Sequence, residues 1–170
     1  MKSLVLDASA AVARARGEPE GDAVAAVLGQ HAGALLAPEF FWLEVINALG
    51  RRHRYTGAEM LEAVRELEEV GIQTVESDAL ARLIVIDLVE RHGLSAYDAA
   101  YLGLAEAADA QLLTLDRHLA AAAGKRAILI GPEGQISDVA EPYEAEATWP
   151  RWRGAAAYLA ELRRRAASAG

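Results

Sequence analysis

Short apolar runs alternate with helical patterns along most of this chain. The runs lie at positions 3–7, 34–37, 72–76, 111–116 and 127–131, and they are rich in Leu, Val and Ile, as buried parallel strands are. Parallel strands need long crossover connections, which the intervening helical patterns supply. The alternation predicts an α/β fold, a three-layer α/β/α sandwich around a mostly parallel five-stranded sheet.

Residues at the ends of the helical patterns fit their positions. Pro38 suits a first helical position and Asp78 an N-cap, while Gly71 and Gly93 suit the residue after a helix. The predicted helices cover 22–29, 38–52, 58–70, 78–92 and 96–108, with a short one after Asp116.

The pattern changes after Gly131. Positions 131–152 mix Gly, Pro and acids without a period, which predicts an extended loop, and 153–170 predicts a closing helix. We therefore expect one domain over 1–131 and a C-terminal extension over 132–170 that is not an independent domain.

Composition excludes several kinds of chemistry. The chain has no cysteine, so disulfides, thiolate catalysis and zinc–sulfur sites are ruled out. We expect no membrane span or signal peptide, and hence a cytoplasmic protein. The net charge of −8 is unusual for a binder of phosphate backbones, unless the acids serve a specific purpose such as holding divalent cations.

Two predicted strands are followed by aspartate at the same edge of the sheet. Asp7 follows one and Asp116 ends another. Sites in open α/β sheets form beyond the carboxyl ends of strands, and aspartate is uncommon in strands. Capping of the next helix is the alternative for each residue alone, but two together favour a site.

Glu44 is a third candidate, in the segment "PEFFWLEVINALG". Its neighbours are apolar except Asn47, which is three residues away and on the same helical face. A helix that is apolar nearly all round is expected to be buried. A buried carboxylate needs a cation, either a metal ion or a salt bridge to an arginine such as Arg51 or Arg52. An exposed patch around Glu44 is the remaining alternative. Glu39 is explained by the helix dipole in the first turn, so Glu44 is preferred.

Asp98 is the fourth candidate, and local structure also explains it. Ser95 and Asp98 fit the S-x-x-D variant of a capping box, in which Asp98 would bond the N-cap backbone. A cap and a position facing Asp7 and Asp116 are compatible. Four converging carboxylates without a histidine pattern would bind Mg²⁺ or Mn²⁺ and could hydrolyse phosphodiesters.

Four segments in order resemble the PIN-domain family, and most of all its VapC-like toxins: "VLDASA", "EFFWLEVINAL", "LSAYDAAYLGLAE" and "LLTLDRHL". The resemblance covers about 1–131 and implies an Mg²⁺- or Mn²⁺-dependent ribonuclease. It places the family's acidic quartet, catalytic and metal-binding, on Asp7, Glu44, Asp98 and Asp116. It also suggests supporting roles for Thr114, Asn47 and Ser9, the last of which is equally suited to a helix N-cap.

The resemblance also implies partners. Family members often form homodimers and are held inactive by a cognate antitoxin, and the apolar helix around Glu44 could serve the core, a dimer or an antitoxin. This chain departs from some relatives in having Arg117 and His118, rather than an acid, after the last aspartate. Its tail is also longer than is usual for these toxins.

RNA would need basic contacts despite the acidic net charge. "RRHR" is the best candidate, although a solvated helix end explains it equally well. The expected contacts are Arg51, Arg52, Arg54, Arg14 and Arg117, with Arg16 nearby. A non-catalytic PIN-fold module that binds RNA or protein is the alternative function. An aspartyl-phosphate enzyme is disfavoured, since Ser9 replaces the acid expected two residues after Asp7.

Overall fold

The computed structural model describes residues 3–138 and shows a six-stranded sheet flanked by helices. The sheet has the order β3-β2-β1-β4-β5-β6, and all neighbours are parallel except β5 and β6. The α/β fold class is therefore confirmed. The strands are β1 Leu4–Leu6, β2 Leu35–Pro38, β3 Gln73–Val75, β4 Gln111–Thr114, β5 Ala127–Ile130 and β6 Ile136–Asp138.

The predicted strand number of five was wrong. The sixth strand, Ile136–Asp138, lies in the segment that was read as a loop, and it pairs antiparallel with β5 through register pairs such as Ile130 with Ile136. Three residues are too few to show an alternating pattern, so backbone pairing alone reveals the strand. The part of the predicted loop beyond residue 138 and the closing helix predicted at 153–170 lie outside the described residues.

Seven α-helices connect the strands over residues 3–138, and their ends mostly match the capping signals. Gly71 and Gly93 have left-handed backbone after α4 and α5, and Asp78 caps α5 by accepting a hydrogen bond from the Ala81 amide. The helices are α1 Ala8–Ala15, α2 Pro19–Gln30, α3 Phe41–Asn47, α4 Gly57–Glu68, α5 Ala79–His92, α6 Ala96–Ala107 and α7 Arg117–Ala123.

The helix predicted over 38–52 is divided. Pro38 ends β2 instead of beginning a helix, and α3 begins at Phe41, so Glu39 precedes the helix instead of lying in its first turn. After α3 the backbone continues as a single π-helical segment, Ala48–Arg52, which we call the π-turn.

The helix α3 is not buried all round, contrary to the expectation. Phe41 and Val45 are in the core, but Leu43 is 70% exposed and Ile46 is 41% exposed. The apolar residues of α3 therefore lie both on the face that packs into the core and on the face exposed to solvent. Within residues 3–138, no helix has the length and apolarity that crossing a membrane requires.

Two layers of helices enclose the sheet. The first is built on α6, which packs on β1, β2 and β4 with α5 and α7 beside it, and the second contains α1 against α2, α3 and α4. Strand order reverses between β1 and β4, because β2 and β3 extend to one side of β1 while β4 and β5 extend to the other. A crevice forms at such a switch point beyond the carboxyl ends of the strands.

Candidate active site

All four predicted carboxylates line one cleft of about 460 Å³ beyond the ends of β1 and β4. Asp7 follows β1, Asp116 follows β4, Glu44 comes from α3 and Asp98 from the first turn of α6. The cleft thus collects acids from four separate segments. Its lining is Asp7, Ala8, Ser9, Val12, Ala13, Arg16, Glu18, Glu44, Asn47, Ala48, Arg52, His53, Asp98, Leu115 and Asp116.

Asp7 is the most buried of the four acids, with 5% of its surface exposed. Its Oδ2 accepts hydrogen bonds from the Ser9 hydroxyl and from Thr114 Oγ1, the latter at 2.7 Å. Burial raises the pKa of Asp7, the two hydroxyls lower it, and the charges of Asp98 and Asp116 raise it again. The balance is a raised pKa, so the ionised form of Asp7 lacks full compensation within the protein.

Two hydroxyls tie the start of α1 to the segment that carries Asp116. Thr114 Oγ1 donates to Asp7 and accepts from the Asp116 amide at 2.9 Å, while Ser9 Oγ accepts from the Leu115 amide at 3.0 Å. Ser9 lies inside α1, whose N-cap is Asp7, so the alternative of Ser9 as an N-cap was wrong. Thr114 and Ser9 fix the position of the Asp7 carboxylate relative to Asp116.

Glu44 is half-buried and is held by a tyrosine. Tyr101 is 1% exposed, and its hydroxyl donates to Glu44 Oε2 at 2.7 Å. Burial raises the pKa of Glu44, the bond from Tyr101 lowers it, and the nearby charges of Asp7 and Asp98 raise it further. Within the described residues, Glu44 forms no salt bridge with Arg51 or Arg52, which was the alternative considered for it.

Asp98 and Asp116 are held at helix starts. The Ser95 hydroxyl accepts from the Asp98 amide at 3.1 Å and donates to Asp98 Oδ2 at 2.7 Å, so Asp98 bonds the capping hydroxyl instead of the predicted backbone N–H. Asp116 caps α7 through Oδ1, which accepts from the amides of His118 and Leu119. Capping and a position in the cleft therefore coexist in both residues.

Comparison with known proteins identifies the fold. The PIN-domain family model matches residues 4–125. The chain belongs to the PIN-domain family. Ribonuclease VapC3 of Mycobacterium tuberculosis is 37% identical over 122 residues, which cover 71% of this chain and 88% of the relative. Ribonuclease VapC3 of Pyrobaculum aerophilum is 35% identical over 126 residues, covering 69% and 92% respectively.

Solved structures share this PIN fold. The protein PAE2754 of Pyrobaculum aerophilum has a TM-score of 0.53 at 28% identity, covering 71% of this chain and 84% of its own. VapC20 of Mycobacterium tuberculosis, described as a sarcin-ricin loop cleaving toxin, has a TM-score of 0.57 at 16% identity over 71% and 95%. At 16% identity, the likeness to VapC20 shows the fold alone. The resemblance to VapC-like PIN domains is thus confirmed.

The four acids of this PIN domain have no basic partner in the part of the chain that the structure describes. The salt bridges there are Arg16–Glu18, Arg91–Asp87 and Arg126–Asp109, and none involves the cleft's four carboxylates. Each carboxylate uses only one oxygen in hydrogen bonds with residues 3–138, which leaves a second oxygen available.

The four carboxylates suit a divalent cation that keeps several of its waters better than one that is enclosed by protein ligands. Over residues 3–138, no group of three or more acid or histidine side chains is placed to hold a metal ion by itself. Mg²⁺ keeps several of its waters and binds through one or two carboxylates, so it does not need such a cage. An all-oxygen donor set without cysteine suits Mg²⁺ or Mn²⁺ and disfavours zinc.

The expected RNA contacts divide into two groups. Arg52 and Arg16 line the cleft, as does Asn47, whereas the other expected arginines do not. Those outside the lining are Arg14, Arg51, Arg54 and Arg117. His118 is exposed and its Nε2 lies 3.2 Å from the His92 carbonyl oxygen, outside the cleft.

Sequence reasoning missed Tyr101, Glu18 and His53. Tyr101 is three residues after Asp98 and therefore on the same face of α6, which could have marked it as a neighbour of the site. Glu18 and His53 carry no comparable signal, because the turns that place them in the cleft follow α1 and the π-turn.

Replacing Tyr101 by Phe should weaken divalent-metal binding by about 10-fold, the low end of effects for residues that orient metal ligands. Glu44 would lose its only hydrogen bond among the described residues, while the buried ring would remain. Stability should fall by only about 1 kcal/mol. Isothermal titration with Mn²⁺ measures the affinity. Tyr97→Phe is the matched control, since Tyr97 lies on the same helix and is 57% exposed. Equal Mn²⁺ affinity in all three proteins would contradict this role for Tyr101.

Proposed function

We propose that this chain is an Mg²⁺- or Mn²⁺-dependent endoribonuclease that acts as the toxin of a toxin–antitoxin pair. The observation that carries the proposal is the cleft lined by four carboxylates from four segments, none of which forms a salt bridge with a basic residue within 3–138. Such a concentration of negative charge disfavours RNA unless a cation is bound between them. Relatives at 35–37% identity that are named ribonucleases support the same conclusion.

Asp7, Glu44, Asp98 and Asp116 would hold the metal, one or two of them by direct contact and the others through its bound waters. When bound, the cation would polarise the phosphate and favour a hydroxide nucleophile. The chain's own residues keep the ligands in place: Ser9 and Thr114 hold Asp7, Tyr101 holds Glu44, and the helix caps hold Asp98 and Asp116. Ligands fixed in this way lose little conformational entropy when the metal and the RNA bind.

An antitoxin and a second copy of the chain are the protein partners that we propose. A solved toxin–antitoxin complex from Klebsiella pneumoniae has a TM-score of 0.54 at 15% identity, covering 67% of this chain and 87% of its own, which relates the folds. The exposed Leu43 and Ile46 flank Glu44 on α3 and provide apolar surface beside the cleft. A small reading frame beside this gene would support the antitoxin. Light scattering of the purified protein tests for the second copy of the chain.

Cleavage of total RNA by the purified full chain tests the activity. We expect fragments with Mg²⁺ or Mn²⁺ and none after EDTA treatment, with activity restored by excess metal. Cleavage that EDTA does not affect would contradict the metal-dependent mechanism. Absence of both cleavage and Mn²⁺ binding at millimolar metal would favour the non-catalytic RNA- or protein-binding module.

A further inference from the structure

The π-turn changes which arginine faces the acidic cleft. In an α-helix, about 7.2 residues make two turns, so the residue seven positions after Glu44 would return to the same face. That residue is Arg51. The π-turn takes up one extra residue, which moves this face to the eighth position, Arg52. The lining of the cleft agrees, because it includes Arg52 and excludes Arg51.

Local contacts hold the π-turn in this register. The amide of His53 donates to the Ala48 carbonyl at 3.2 Å, the five-residue spacing of a π-helix, and the Tyr55 amide donates to the Leu49 carbonyl at 3.1 Å. At Gly50, a Cβ would lie 3.1 Å from the sulfur of Met60 on α4, so the glycine permits close packing there. Arg54 then takes a left-handed backbone with φ of 58°, which ends the helical run.

Of the two arginines that line the cleft, only Arg52 lacks an acidic partner within the described part of the chain. Arg16 forms a salt bridge with Glu18 at 2.7 Å, and Glu18 lines the same cleft. Arg52 forms no salt bridge with residues 3–138, and its side chain is exposed to solvent. Its guanidinium therefore remains available for a ligand of the opposite charge.

We infer that Arg52 binds a backbone phosphate of the RNA next to the four carboxylates, and that the π-turn selects Arg52 over Arg51 for this contact. The inference rests on the proposed ribonuclease function and names its substrate contact. An arginine pairs with a phosphate through two parallel hydrogen bonds, which fixes the strand relative to the metal site. Such a contact positions RNA without reading its sequence.

The test compares Arg52→Ala with Arg51→Ala, which removes the same charge one residue away. The probe is a 5′-fluorescein-labelled single-stranded RNA of random sequence. Its binding is measured by anisotropy with Ca²⁺ in place of Mg²⁺, because Ca²⁺ also takes oxygen ligands and offsets the charge of the acids but does not impose the octahedral geometry of Mg²⁺. At about 150 mM salt the screening length is about 8 Å, which limits any effect of distant charge. We expect Arg52→Ala to weaken binding about 10-fold and to reduce the salt slope by about 0.7, the value for one phosphate on a single strand.

Arg51→Ala should bind the same RNA within about twofold of the parent, and Arg52→Lys should recover part of the affinity. Similar losses in Arg51→Ala and Arg52→Ala, or no loss in Arg52→Ala, would overturn the selection of Arg52. Parallel Mg²⁺-dependent cleavage of total RNA separates the two proposals. If the parent cleaves RNA with Mg²⁺ and Arg52→Ala binds RNA as tightly as the parent, only the Arg52 contact is refuted. If the parent cleaves RNA without a metal ion, the proposed function is refuted.

Discussion

Replacing Asp98 by Asn should abolish metal-dependent RNA cleavage and leave the fold intact. The substitution removes one of the four charges that are proposed to hold the metal, and it replaces a carboxylate oxygen by an amide that cannot ligate through nitrogen. Loss of several kcal/mol of transition-state stabilisation corresponds to a decrease in rate of about 100- to 1,000-fold. The fold should persist because Ser95 still accepts a hydrogen bond from the backbone amide of residue 98.

Asp78→Asn is the matched control for this variant. Asp78 is also an aspartate at a helix start, where it accepts from the Ala81 amide, but it does not line the cleft. Total-RNA cleavage and Mn²⁺ titration are measured for both variants, with circular dichroism to compare their folds. Asp78→Asn should cleave RNA like the parent. Full activity of Asp98→Asn would remove Asp98 from the metal site and with it the four-carboxylate mechanism.

The sequence predicted most of the elements because hydrophobic period and capping residues act locally, although α1, Ala8–Ala15, was not among the predicted helices. Gly93 and Asp78, for example, specify helix ends within a few residues of themselves. The sixth strand and the starting point of α3 depend instead on pairing with distant segments. Pro38 illustrates this dependence, since its fixed φ suits both a helix start and the strand end at which it pairs in register with Val75.

The candidate site divides in the same way. Asp7 and Asp116 could be predicted because they follow strands, whose carboxyl ends share one edge of the sheet. Spacing alone could predict neither the contact of Tyr101 with Glu44 nor the presence of Arg52, instead of Arg51, in the lining of the cleft. The first contact joins residues 57 positions apart, and the second depends on a π-turn that shifts the helical register by one residue. At the π-turn, the absence of a Cβ on Gly50 allows Met60 to approach closely, a contact between two segments that no local pattern reveals.

Replacing Asp7 by Asn should make the metal-free protein more stable near pH 8 and remove its stabilisation by Mg²⁺. Asp7 is buried, and its raised pKa shows that the fold disfavours its charge, while Asn keeps an oxygen that can accept from Thr114. If removal of the uncompensated charge raises the free energy of unfolding by about 1–2 kcal/mol, Tm should rise by roughly 3–6 °C for a domain of this size. Cleavage of RNA should be lost at the same time, since Asp7 is one of the proposed metal ligands.

The dependence on pH identifies the charge as the cause. A carboxyl whose folded pKa is raised binds its proton more tightly in the native state, so its contribution to stability is complete below the ordinary value of 3.8 and is lost as pH rises through the raised pKa. The metal-free parent should therefore lose stability across that window, and the gain in Asp7→Asn should be greatest above it. Asp22→Asn, which changes an exposed aspartate of α2, should show no such gain.

Thermal unfolding in EDTA and in excess Mg²⁺, from pH 4 to pH 8, measures all of these quantities. In the parent, Mg²⁺ should restore at pH 8 the stability that the ionised acids cost, because a ligand that binds only the native state stabilises it by mass action. The Asp7→Asn protein should respond weakly to Mg²⁺ at every pH. If Asp7→Asn were less stable than the parent in EDTA at pH 8 and still strongly stabilised by Mg²⁺, Asp7 would be a structural hydrogen-bond acceptor instead of a ligand kept charged for the metal.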